Sequence, residues 1–365
     1  MIQYYNSIKL HEEIKKELYQ GIEQVIESDR FVLGDNVFEF EKEYSAFCES
    51  KYCVSCGSGL DAIRIILKSL NIGNGDEVIV PANTFIATAF AVTQTGAEPI
   101  LAEADFETFN IDVNNIEKLI NSKTKAIIAV HLYGRPANMK KIKDIADRYG
   151  LYVIEDAAQA HGARINYHAL GYYSDAVAFS FFPTKNMGAF GDAGAIVTNN
   201  AEIADNARLI GRYGSPKRYS HLKIGINSRL DEIQAAVLRV KLKKLDEWIN
   251  SRREIADYYL QNIKNDNIVL PLKDEAGMKQ VWFAFVIRTE RRDNLKDYLY
   301  KSGIETLIHY PTPLFMQPCY RDCFDKTKYE KTQGLSERVL SLPLWTYMDL
   351  EKTQYIIDAI NKWNC

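Results

Sequence analysis

The chain has 365 residues, 47% of them hydrophobic and 25% charged, with a formal net charge of -3. That is enough apolar material for one large core and a smaller second unit. A charge so close to neutral argues against a nucleic-acid or membrane-surface protein, whose phosphate-rich partners select basic patches.

At the N-terminus, Met1-Ile-Gln-Tyr-Tyr-Asn6 has no basic run and residues 10–17 are heavily charged, so no signal peptide is expected and the expected location is cytoplasmic. Cys48, Cys53, Cys56, Cys319, Cys323 and Cys365 are then expected as reduced thiols. The Cys53-Val-Ser-Cys56 spacing would suit half a zinc site or a redox pair. Cys319 and Cys323, the other close pair, have no supporting histidine, so buried small hydrophobes are the expected role and no metal is assigned. Residues 78–97 carry no charge and match a membrane span in length. Pro81, Asn83 and the threonines among them instead suggest a buried strand, a turn and a helix, with no membrane segment.

From about 52 to 200 the chain alternates β-branched runs with helical spacing. Strands are expected at 77–80, 99–102, 126–130, 151–155, 176–179 and 194–198, and helices at 60–70, 84–93, 113–119 and 139–149. Ala62, Ile63, Ile66, Leu67 and Leu70 fall on one helix face. Such alternation predicts an α/β fold with a mostly parallel central sheet covered on both sides. After Asn227 one long amphipathic helix is expected to about residue 250, capped by Ser228 or Asn227. Beyond it come a strand at 281–289, a helix at 293–301 and a closing helix at 352–363. The expected division is 1–250 for a large unit, whose N-terminal segment packs on the smaller one, and 251–365 for a C-terminal α+β unit.

Ligands of open α/β sheets bind beyond the carboxyl ends of the strands. There the chain places Val153-Ile-Glu-Asp156-Ala-Ala-Gln159-Ala-His161. A carboxylate so placed can keep a heteroaromatic nitrogen protonated, because an opposite charge favours the charged form; the alternative is a solvated loop acid. Next is Phe179-Ser180-Phe-Phe-Pro-Thr-Lys185-Asn-Met-Gly-Ala-Phe-Gly191. A lysine enclosed by aromatics and glycines is desolvated, lowers its pKa and becomes a Schiff-base nucleophile; the alternative is an ordinary surface lysine. Gly57-Ser58-Gly59 precedes a helix whose free N–H groups suit a phosphate. It lacks the lysine of a Walker loop and the GxGxxG spacing.

In this order the three segments resemble the DegT/DnrJ/EryC1/StrS family of nucleotide-sugar aminotransferases, which have the fold-type I architecture. The resemblance spans nearly the whole chain. It includes Val80-Pro-Ala-Asn-Thr84-Phe85, His131-Leu-Tyr-Gly134, Gly225-Ile-Asn227-Ser-Arg229-Leu-Asp-Glu-Ile-Gln234 and His309-Tyr310-Pro311. It implies that pyridoxal 5'-phosphate is bound by Lys185 as a Schiff base, with Asp156 on the pyridine nitrogen and Gln159 near the phenolic oxygen. Phe85 would stack on the ring, unless it packs in the core. Ser180 and the backbone at Ser58 and Gly59 would hold the phosphate. Asn227 would reach a phosphate across a homodimer interface. Arg229 would neutralise an anion or form a salt bridge within its own subunit. His309 and Tyr310 would contact the sugar nucleotide, or else form a packed loop.

Departures from the family pattern fall at Arg135, Ile226 and Phe315, where relatives often carry Gln, Tyr and His. Lys185 rather than His implies transamination rather than dehydration. The resemblance is nearest to enzymes that aminate C3 of dTDP-3-keto-6-deoxyhexoses with glutamate as donor. The other readings are C4 amination, a PLP lyase acting on amino acids, and a non-catalytic regulator that binds the cofactor or the sugar nucleotide.

Overall fold

The computed structural model describes residues 1–364, and Cys365 lies outside the described residues. Helices α1 (Ile8–Glu13), α2 (Lys15–Ser28) and α3 (Asp35–Phe47) lead into β1 (Tyr52–Cys56), α4 (Gly59–Ser69), β2 (Glu77–Pro81), α5 (Ile86–Thr93) and β3 (Glu98–Ala102). Then follow α6 (Val113–Ile116), β4 (Thr124–Val130), α7 (Met139–Tyr149), β5 (Tyr152–Asp156), the hairpin β6 (Arg164–Ile165) and β7 (His168–Ala169), β8 (Ala176–Ser180), β9 (Gly194–Thr198) and α8 (Ala201–Gly211). The sheet order is β1-β9-β8-β5-β4-β2-β3, and only β9 runs against its neighbours. The expected α/β class and mostly parallel sheet are therefore present.

The strands expected in the central sheet appear within a residue or two, while the strand expected at 281–289 is confined to Phe285–Arg288. β1 was not anticipated. Its Tyr52 and Ser55 interrupt the apolar run, as suits an edge strand with one partner. Its cysteines settle the zinc question. Three residues apart on a strand, Cys53 and Cys56 point to opposite faces. Cys53 packs in the core with Phe40 and Phe179 and Cys56 in the core with Ile63 and Ile66, so the two cannot share one metal. The uncharged stretch 78–97 folds as strand, turn and helix, and no helix among the described residues is long and apolar enough to cross a membrane.

The long helix expected after Asn227 is instead two, α9 (Glu232–Leu242) and α10 (Leu245–Asn262), turning at Lys243–Lys244. Neither Asn227 nor Ser228 caps it. The Ser228 hydroxyl is engaged elsewhere, donating to Asp61 at 2.6 Å and accepting from the Gly57 N–H at 2.9 Å. The division expected at residue 250 falls inside α10. A two-stranded sheet of β10 (Phe285–Arg288) and β11 (Val339–Leu342) packs with α10, α11 (Arg292–Lys301) and α13 (Leu350–Lys362) around a separate core that includes Tyr259, Phe285 and Trp363; α12 (Glu330–Arg338) leads directly into β11. The N-terminal segment joins this layer, with the Ile2 N–H donating to the Gly303 carbonyl at 2.7 Å.

One buried acid ties the early helices to α9. Glu232, 2% exposed, accepts the first-turn N–H groups of Asn36 and Val37 on α3, both at 3.0 Å. These are orphan donors at the positive end of the helix dipole. Glu232→Ala leaves them buried and unpaired, and should lower unfolding stability by about 2–3 kcal/mol, read from the denaturant midpoint.

Candidate active site

Parallel pairing of β5 with β8 sets Asp156 opposite Ala178, so both strands end at the same edge of the sheet. Asp156 is 7% exposed. One carboxylate oxygen accepts from the Thr88 hydroxyl at 2.8 Å and the other from the Ala158 N–H at 3.1 Å. Thr88 stands one turn along α5 from Thr84, whose hydroxyl lies 2.9 Å from its own. Both partners donate to the carboxylate and so fix its orientation.

Lys185 lies five residues beyond β8, its amine 4.7 Å from the centroid of the Phe283 ring. Burial pushes the amine down to about 8, against a smaller upward pull from Asp156. The two groups sense each other without closing an ion pair, so the lysine keeps a substantial neutral fraction near neutral pH.

Around them the site is polar and closely packed. Gln159 accepts the Tyr133 N–H at 2.6 Å and donates to the Tyr310 hydroxyl at 3.0 Å. The Phe85 and Tyr310 rings stand 5.4 Å apart, and Phe85 is 52% exposed, so its face is open to the cleft and not in the core. His309 bonds through Nδ1 to the Ser341 hydroxyl at 2.8 Å, and burial and the nearby Lys185 push it down to about 4. It is therefore a neutral imidazole, with one donor and one acceptor nitrogen. His131 is structural: Nε2 meets Glu155 at 2.6 Å and Nδ1 accepts the Ala137 N–H.

A phosphate cradle follows from the glycines. The Ser58 hydroxyl caps α4 by accepting the Asp61 N–H at 3.1 Å, and the first-turn amides that follow have no acceptor within the helix. A Cβ on Gly59 would lie 2.6 Å from Ser180 Cβ, and one on Gly194 would lie 2.3 Å from the Ser58 carbonyl oxygen. Glycine at both positions lets the α4 turn close on the end of β8. A desolvated lysine, a buried acid, an open aromatic face and an anion cradle together fit pyridoxal phosphate.

The structure does not bring every predicted residue to this cluster. Asn227 is exposed, tied by a backbone bridge to Arg212. Arg229 lies 5.9 Å over the Tyr213 ring and has no salt bridge among the described residues, which removes its alternative role. Phe315 is fully buried and stacks on Tyr329 at 4.8 Å. Arg135 is held by Glu275 at 3.0 Å and by Gln280. Sequence reasoning missed Thr88, Tyr133, Phe283 and Ser341. For Thr88 a signal existed in the spacing Thr84-x3-Thr88, which puts two hydroxyls on one helix face.

The model of the DegT/DnrJ/EryC1/StrS aminotransferase family matches residues 12–361. The chain is 44% identical to the dTDP-3-amino-3,6-dideoxy-alpha-D-galactopyranose transaminase of Aneurinibacillus thermoaerophilus, covering 100% of this chain and 99% of the relative. It is 42% identical to the dTDP-3-amino-3,4,6-trideoxy-alpha-D-glucose transaminase of Streptomyces venezuelae, covering 97% and 93%. Among solved structures, S. venezuelae DesV in complex with a ketimine intermediate superposes with a TM-score of 0.97 at 41% identity, covering 99% of this chain and 98% of that one. The ntda protein of Bacillus subtilis with bound cofactor PMP gives a TM-score of 0.90 at 34% identity, covering 95% and 81%.

The environment of Lys185 sets a titration. Its amine is protonated below its pKa and nucleophilic above it, so burial moves the onset of reactivity down from the ordinary lysine value of about 10.4. In cofactor-free protein, the rate at which Lys185 condenses with a soluble aldehyde, trapped by borohydride and located by peptide mapping, should rise with a midpoint near pH 8. A midpoint near that of free lysine would mean that the amine is not desolvated.

Proposed function

From the premise that the chain belongs to the DegT/DnrJ/EryC1/StrS aminotransferase family, we propose that it aminates C3 of a dTDP-linked 3-keto-6-deoxyhexose, with glutamate as amino donor. It is an aminotransferase that works with pyridoxal phosphate. The carrying observation is the desolvated Lys185 amine near a carboxylate that Thr88 and the Ala158 N–H hold in place. The choice of C3 is supported by the two relatives whose names place the amino group there.

Bound in this cleft, the cofactor supplies a reactive aldehyde carbon and a pyridine ring that draws electrons from the substrate carbon. The chain's residues do the rest. Asp156 would hold the ring nitrogen, because a nearby negative charge stabilises a pyridinium. The Lys185 amine, shielded by Phe283, would take and return the proton at the reacting carbon. Phe85 and Gln159 would hold the ring, and Ser180, with the backbone at Ser58 and Gly59, would hold the phosphate. His309 and Tyr310 meet the sugar nucleotide and fix which carbonyl faces the amine, since binding energy remote from the reacting atom sets its orientation.

We read the functional unit as a homodimer. Asn227 is exposed and Arg229 half-buried, and the Ser228 between them accepts the Gly57 N–H beside the phosphate cradle, which suits a segment shared between the subunit's own site and its partner's. We likewise read residues 1–250 as the cofactor-binding domain and 251–365 as the small domain, with α10 as the shared strut.

Incubation with dTDP-3-keto-6-deoxyhexose, glutamate and pyridoxal phosphate should give the 3-amino sugar by NMR. The 4-keto isomer should be turned over at least tenfold less efficiently, a difference of about 1.4 kcal/mol in transition-state binding. A 4-amino product would overturn the regiochemistry.

The shared site has its own test. Lys185→Ala and Asn227→Asp should each be inactive, the latter through a carboxylate placed beside phosphate. Mixed under conditions in which subunits exchange, they should regain activity through hybrids with one intact site, up to about a quarter of wild type if pairing is random. No recovery despite demonstrated exchange would rule the composite site out.

A further inference from the structure

A second buried lysine stands behind the loop that carries Lys185. Lys241, on α9, is 3% exposed. Its amine donates to the Gly188 carbonyl at 2.5 Å and lies 3.1 Å from Nε2 of His11 on α1. It also sits 4.5 Å from the centroid of the Phe190 ring, against which the His11 ring packs edge-on at 5.2 Å. Burial pushes the amine down to about 8, with no carboxylate contributing, and burial and the nearby Lys241 push His11 down to about 4, so His11 is a neutral acceptor. The cage is a carbonyl, an imidazole nitrogen and an aromatic face, which take up the amine's protons without a counter-charge.

A buried amine without a counterion is costly, so what it grips matters. Gly188 sits at the tightest fold of the loop. A Cβ there would lie 2.2 Å from the Pro183 carbonyl oxygen. On either side, the Lys185 N–H donates to Phe182 at 2.8 Å and the Ala189 N–H to Phe181 at 2.7 Å. Gln234, two turns before Lys241 on the same helix, accepts the Phe190 N–H at 2.7 Å. α9 therefore grips this loop at two points, through Gln234 and through Lys241.

We propose that Lys241 is a positioning residue for the transamination. It fixes the backbone that carries Lys185, through the Gly188 carbonyl and with His11 as its second acceptor. In each half-reaction the Lys185 amine must move a proton at the reacting carbon while its Cα stays in place. The clamp confines that motion to the side chain, so its loss should reduce the rate of proton transfer and not substrate affinity.

The test uses Lys241→Met, which keeps the apolar stem and removes the donors. On the holoenzyme, kcat should fall about tenfold with KM for glutamate unchanged. On cofactor-free protein, hydrogen exchange should accelerate in the peptide spanning 182–190 and stay as in wild type in the peptide of α7. Should the methionine variant not fold, His11→Ala, on a partly exposed helix, removes the second acceptor and should lower kcat about threefold, again without a change in KM. A merely structural lysine would lower the melting temperature and leave kcat per folded site intact. That result, or equal exchange in the two proteins, overturns the proposal.

Discussion

Two opposite charges meet at the edge of the central sheet and are kept from neutralising each other. If Asp156 and Lys185 closed as an ion pair, the amine would be held protonated and lost as a nucleophile. The fold instead gives the acid its own partners, Thr88 and the Ala158 N–H, and leaves the amine against the face of Phe283. Desolvation then exceeds Coulomb attraction at Lys185, and its pKa falls. That balance requires the parallel pairing of β5 with β8, which sets the two strand ends side by side, and α5, which brings the Thr88 hydroxyl to the acid. Those three elements define where any cofactor must lie.

The same amine reaches further. His309 is pushed down by burial first and by Lys185 second, so the histidine facing the cleft stays neutral across the working pH range. A neutral imidazole can donate to a sugar hydroxyl from one nitrogen while the other is held by Ser341. Charging it would set two cations against each other in a poorly solvated cleft. The protonation of His309 on the C-terminal layer is thus set by burial and, second, by the lysine of the N-terminal layer.

Much of this was legible in the sequence because the elements involved are locally determined. Fully buried parallel strands such as Glu77–Pro81 carry apolar runs, here over 78–81, and α7 declares itself by Asn138 at its start and Gly150 at its end. Lys185 and Asp156 were legible because sheet topology alone puts residues after β8 and β5 on one edge. What was hidden depends on distant partners. Ser228 looks like a helix cap, but Asp61 and Gly57 claim its hydroxyl, and α9 starts later, where the Glu232 N–H meets the Phe31 carbonyl at 3.1 Å. The turn at Lys243–Lys244 interrupts a run of helix formers with no proline or glycine to mark it. Lys241 resembles any surface lysine at its spacing, and only the tertiary fold buries it.

Tyr133 shows how the two layers are made to act together. Its φ is +60°, in the left-handed region that costs a bulky residue about 1–2 kcal/mol. Such strain persists only where surrounding contacts over-determine it, and here every polar group of the residue is engaged. Its N–H donates to Gln159 at 2.6 Å, its carbonyl accepts the Phe283 N–H at 2.9 Å, and its hydroxyl donates to the His309 carbonyl. Gly134 follows at φ +89°, where a Cβ would lie 2.9 Å from the Phe283 nitrogen, so the turn and the 281–284 segment are in backbone contact. One strained residue thereby fixes Gln159, the Phe283 ring beside Lys185 and the backbone of His309. A shift of the C-terminal layer against the sheet would have to break the contacts to Phe283 and His309. The distance between the Lys185 amine and His309 is therefore a property of the Tyr133 turn and not of the long connection through α10.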